Sequence, residues 1–108
     1  QLYHNISVLQ LKLGERDNAL ASAILAVEAE SDNPHYLSFL GSLYMARDEF
    51  ELAEPLLIQA ISIKDDYAVF HYRLAVVYNK TNRRSEALSS LSIASQLEPG
   101  NVNYQTLK

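Results

Sequence analysis

The chain of 108 residues has a formal net charge of -4, is 48% hydrophobic and 20% charged, and contains no cysteine. That balance excludes disorder over most of its length, disulfides, thiol catalysis and thiolate metal sites, and nucleic acid as the main partner, since phosphate binding needs clustered Lys and Arg. No apolar run is long enough to insert directly into a membrane, and Gln1-Leu2-Tyr3-His4-Asn5 shows no basic start leading into an apolar stretch, so no signal peptide is read there; cytoplasm is the favoured compartment and periplasm the alternative.

Along the chain, helical spacing of apolar residues predicts three pairs of helices, each a front helix followed by a back helix. The first front helix is expected near 2–13. It ends at Gly14 and is followed by a back helix near 16–30. Pro34 opens the second front helix, near 35–47, at a place where a missing N–H costs nothing. Asp48 then marks a turn before a back helix near 50–63. Pro55 lies inside that helix and forfeits the bond to the carbonyl of Glu51; so early in the helix, a mild kink without a break is expected. The third front helix is expected near 68–80, with Leu74, Val77 and Tyr78 on one side. The polar run Asn79-Lys80-Thr81-Asn82-Arg83-Arg84 turns the chain into a back helix near 84–97, marked by Leu88, Leu91 and Ala94. Pro99-Gly100 closes this unit. Residues 102–108 could start a further helix or form a tail.

The pairs are copies of one pattern. Ala19, Ala53 and Ala87 recur at intervals of 34 residues. Ala26, Ala60 and Ala94 keep the same register, and so do Ser7, Gly41 and Ala75. Ile6, Leu40 and Leu74 coincide, as do Tyr3, Leu37 and His71. Small residues at fixed places allow helix backbones to approach closely while larger apolar residues fill the space around them. Gly14, Asp48 and Asn82 share one turn position, and all three types tolerate the left-handed backbone that a helix end requires. The units are expected at 1–33, 34–67 and 68–101.

The run Leu74-Ala75, Tyr78, Glu86-Ala87-Leu88, Leu91, Ala94, Leu97-Glu98-Pro99-Gly100-Asn101 resembles a tetratricopeptide repeat. Leu40-Gly41, Tyr44, Ala53, Leu57 and Ala60-Ile61 are similar. The first unit departs further, with Ser7 for the usual Gly or Ala and Gln10 for the usual aromatic, and the usual Trp is absent throughout. The resemblance covers nearly the whole chain. It implies an all-α, right-handed α-solenoid of three helix-turn-helix units that binds a partner protein on the concave surface lined by front helices.

By the same resemblance, Asn5, Val8, Leu11 and Lys12 face inward from the first unit. His35, Ser38, Phe39, Ser42 and Met45 do so from the second, and Val69, Tyr72, Arg73, Val76, Asn79 and Lys80 from the third. These places are apolar for an exposed surface and hold no acid. All thirteen Asp and Glu residues lie in back helices or turns, whereas Lys12, Arg73 and Lys80 lie on front helices. The expected partner is therefore a peptide or helix with apolar anchors and some negative charge, with Phe39 and Tyr72 as anchors and Arg73 as a charged contact. The family's clamp for the C-terminal carboxylates of heat-shock chaperones needs Lys and Asn on the first front helix, Asn on the second, and Lys and Arg on the third. His4, Val8, Phe39, Val69 and Arg73 hold those places, and only Arg73 fits, so such a clamp is not expected.

The alternative is structural: a section of a longer scaffold, or a homo-oligomer joined through the groove or through uncapped ends. An enzyme is not expected, because no Gly-rich phosphate loop, acid–base pair or metal-ligand spacing is present. His4 and His35 on adjacent front helices read as ordinary polar residues, with no metal and no cofactor.

Overall fold

A computed structural model of the chain describes residues 1–105. Among them are six α-helices: α1 (Leu2–Lys12), α2 (Arg16–Ala29), α3 (Pro34–Ala46), α4 (Phe50–Ile63), α5 (Ala68–Lys80) and α6 (Arg84–Leu97). A short 3₁₀ turn, Val102–Tyr104, follows. Of the stretch read as the start of a further helix or a tail, the described part is this single turn, and 106–108 lie outside the described residues.

The helix ends follow from local chemistry. Asn33 caps α3, its side-chain oxygen accepting from the backbone N–H of His35 (3.0 Å) and Tyr36 (3.3 Å). Asn101 does the same for Asn103 at the head of the 3₁₀ turn (2.9 Å). Each front helix ends in one motif. Gly14, Asp48 and Asn82 have φ of 81°, 59° and 64°. The N–H groups of Glu15, Glu49 and Arg83 reach back to the carbonyls of Gln10, Tyr44 and Tyr78 at 2.9, 3.0 and 2.8 Å. The left-handed residues donate to Leu11, Met45 and Asn79, so three helix ends close in the same paired-bond reversal. Helix α4 runs unbroken through Pro55, which is exposed.

Each front helix packs on its own back helix, and each back helix then packs on the next front helix, giving a stack α1–α2, α3–α4, α5–α6 in which α3 also touches α5. The small residues sit at the closest approaches: Ala19, Ala53 and Ala87 are fully buried. A β-carbon at Gly41 would lie 3.3 Å from Leu57 Cγ and 3.5 Å from the Ala53 carbonyl oxygen. Ser7, at the equivalent place in α1, donates to the Ala19 carbonyl (2.6 Å) and so satisfies its buried hydroxyl.

Apolar clusters fill each junction. Leu40 and Leu43 meet Ala23 between α3 and α2, while Ala53 and Leu57 meet Leu74 and Val77 between α4 and α5. Leu37, Ala60 and Phe70 form a third cluster. Leu37 is buried in this way; His71 is buried too, and its Nε2 meets the Asp65 carbonyl at 2.8 Å. Tyr3, at the same repeat position, stays 41% exposed, because among the described residues no back helix covers that side of α1. Two cross-unit ion pairs tie the turns. Arg47 bonds Asp17 (2.8 Å), and Arg83 forks onto Glu54 while its guanidinium lies 4.6 Å from the Tyr78 ring centre.

Candidate peptide-binding face

Three front-helix positions, 4, 38 and 72, are related by the repeat, and each touches the following unit. His4 of α1 stacks on Tyr36 of α3 (centroids 4.6 Å apart) and meets Phe39 edge-on at 5.0 Å. Ser38 of α3 accepts a 2.7 Å hydrogen bond from Arg73 Nη1 of α5. Tyr72 of α5 lies 5.0 Å from Tyr104 of the 3₁₀ turn. Phe39 and Arg73 are therefore equivalent residues one unit apart, each placed by the front helix before it.

The electrostatics of this face are set by burial. Arg73 is half-buried, and desolvation pulls its guanidinium below the usual arginine range, with Tyr67 and Tyr104 acting in the opposite direction. It remains a cation, as arginine does in proteins. Among the described residues no carboxylate pairs with it. His4 is shifted below its ordinary value, first by burial and then by the N-terminal ammonium, and its Nδ1 is buried without a hydrogen-bond partner. This edge of the face therefore presents a neutral imidazole and an aromatic ring, and the next unit presents a cation.

The remaining candidates fall into two groups. Phe39, Met45 and Tyr72 are half-buried and lean on core clusters: Phe39 on Ala23, Leu40 and Leu43, Met45 on Leu57, Leu74 and Val77, and Tyr72 on Ala68, Leu91 and Tyr104. Val8 and Val76 are also half-buried, whereas Asn5, Lys12, His35 and Lys80 are exposed. Ser42 turns its hydroxyl onto the Phe39 carbonyl (2.6 Å). Leu11 lines an open hollow of about 720 Å³ together with Arg16, Asp17, Leu20, Leu43 and Arg47. His35 meets Tyr67 and Phe70 and so belongs to a different ring cluster from His4. No group of three or more His, Asp or Glu side chains suited to a metal occurs among the described residues.

Tyr36 and Tyr104 were missing from the residues read out of the sequence. Their signal was present: Tyr36, Phe70 and Tyr104 are aromatic residues in the same 34-residue register.

Stacked helical hairpins with a front face built from successive units define a helical-repeat protein of the interaction type. The chain belongs to the tetratricopeptide repeat family, whose models match residues 44–108 and 1–33. No curated protein matches it. Among solved structures it is similar to the first such domain of Spaghetti (RPAP3) bound to the HSP90 peptide SRMEEVD, with 20% identity, 95% of this chain and 82% of that one covered, and a TM-score of 0.91. The second domain of human RPAP3, in complex with the HSP70 peptide SGPTIEEVD, is 20% identical over 94% of this chain and 85% of that one, with a TM-score of 0.86. A crystal structure of MamA is 22% identical, with a TM-score of 0.88 over 94% of this chain, which spans 60% of the MamA chain. At these identities the likeness is one of fold.

Proposed function

We propose that the chain is a protein–protein interaction module whose front-helix face holds an apolar, partly acidic peptide or helix. The observation that carries this reading is Arg73: a half-buried cation bonded to Ser38, with no described acid beside it, on a set of front helices that contain no Asp or Glu at all. A desolvated guanidinium of this kind gains most from a partner's carboxylate. Phe39, edge-on to His4, offers an aromatic contact for an apolar residue, with Val8, Val76 and Tyr72 as further apolar places on the three front helices. Asn5, Leu11, Lys12, His35, Ser42, Met45 and Lys80 complete the proposed surface.

Two of the similar structures bind peptides ending in EEVD. This chain is proposed not to hold a chaperone tail in that way, because the clamp places carry His4, Val8, Phe39 and Val69 beside the single Arg73. Catalysis is not part of the proposed role.

A random peptide library displayed on phage tests the reading. Enriched sequences should combine an apolar residue with Asp or Glu, and Arg73→Glu should weaken the best of them by roughly tenfold or more, equivalent to about 1.4 kcal/mol. Enrichment without acids, or unchanged affinity in a folded Arg73→Glu variant, would refute it. Tight binding of a free EEVD peptide would instead restore the clamp.

A further inference from the structure

The back helices carry a feature that the groove does not use. No Asp, Glu, Lys, Arg or His occurs from Asn18 to Val27, from Pro55 to Ile63, or from Ala87 to Leu97. Within these runs one outer stripe repeats. Ala21 and Leu25 lead to Ala29 on α2; Pro55, Gln59 and Ile63 hold the same places on α4, and Ser89, Ile93 and Leu97 on α6. Residues four apart share a helix face, and all nine are exposed. Leu25 and Ile63 are each 44% exposed, and Ile93 is 40% exposed. The charges of the back helices are thus confined to their two ends, and a neutral, partly apolar belt runs across the stack between them.

We propose that two copies of the chain associate back to back through this belt. Three observations select a second copy over other occupants. Copies of a chain with net charge -4 repel one another, and the belt is the surface where they can approach without facing like charges. A two-fold contact sets a patch against itself, which a neutral apolar surface satisfies without a complementary charge pattern. The belt is also large enough for a weak dimer. The stripe is about 12 Å long on each back helix, so on a molecule 35 Å in its longest extent the belt offers roughly 400 Å² per copy, about half of what each partner contributes to a stable complex and within the range of weak contacts. A lipid surface fits less well, because membrane-lying helices flank their apolar face with Lys and Arg. Here the belt's edges carry Asp17, Glu28, Glu51, Glu86 and Glu98 alongside Arg16, Lys64 and Arg84. The proposal is independent of the groove reading, since the residues involved lie on different helices.

Sedimentation equilibrium across micromolar to millimolar concentrations tests it. The expected result is a monomer–dimer equilibrium that persists in high salt. Ile63→Lys with Ile93→Lys should weaken it at least tenfold without changing helical circular dichroism. Gln59→Glu, a mild change at the centre of the belt, should weaken it as well and guards against misfolding of the double variant. A monomer at every concentration would overturn the proposal, as would a dimer indifferent to these substitutions or one dissociated by Phe39→Ala. A monomer that pellets with phosphatidylcholine vesicles would place lipid on the belt and overturn it too.

Discussion

At the scale of single residues, the turn positions show how little a side chain need do. Gly14 has open space around its α-carbon, so the cost of a substitution there is conformational alone. Gly14→Ala should destabilise the fold by about 1–2 kcal/mol, the penalty for a left-handed backbone in an L-residue, read as a lower midpoint in urea. Asp48→Gly should act in the opposite direction, by roughly 0.5–1 kcal/mol. These positions were legible in the sequence because turn chemistry is local. His4 was not. Its stacking on Tyr36 and Phe39 joins residues from different units, and burial lowers its pKa. A base with a depressed folded pKa binds more protons when unfolded, so the stability it contributes is complete above the ordinary histidine value and is lost as pH falls below it. Unfolding midpoints followed from pH 7.5 to 5 should fall, and His4→Phe should reduce that slope.

At the scale of helices, the 34-residue register of Ala, Gly and Ser predicted which helices touch and where. The structure sets the tolerance. With Leu57 Cγ 3.3 Å from the place of a β-carbon at Gly41, α3 and α4 cannot admit a large side chain without separating. Gly41→Leu should cost about 1–3 kcal/mol or more, checked by thermal melting. Pro55 was expected to kink α4 mildly, and the helix continues through it. Its exposure means that nothing need repack on replacement, so Pro55→Ala, which restores the bond to Glu51, should stabilise the chain by between about 1 and 3 kcal/mol. The helix bounds agreed with the sequence reading to within a residue or two, because amphipathic period and end signals coincide along this chain. The departure of Tyr3 from its buried counterparts Leu37 and His71 was not visible from register, since burial depends on which helix lies across from a residue.

At the scale of the whole molecule, repetition distributes two surfaces: front helices with cations and no acids, and back helices with a neutral belt. In the proposed groove, Lys12→Glu, at an exposed position, should lower affinity for an acidic peptide less than Arg73→Glu does, because exposed charges are screened while a half-buried one is not; peptide titrations at two salt concentrations would show whether this holds. The sequence by itself determined the helices, their pairing and the side of each hairpin that carries charge. Those features follow from periodicity, turn chemistry and small-residue spacing, all of which are written along one chain. Only the tertiary structure decided that Arg73 leans on Ser38, that His4 stacks on Tyr36, and that Tyr72 meets Tyr104. Each of these contacts depends on the offset between neighbouring units, which side-chain packing sets in three dimensions.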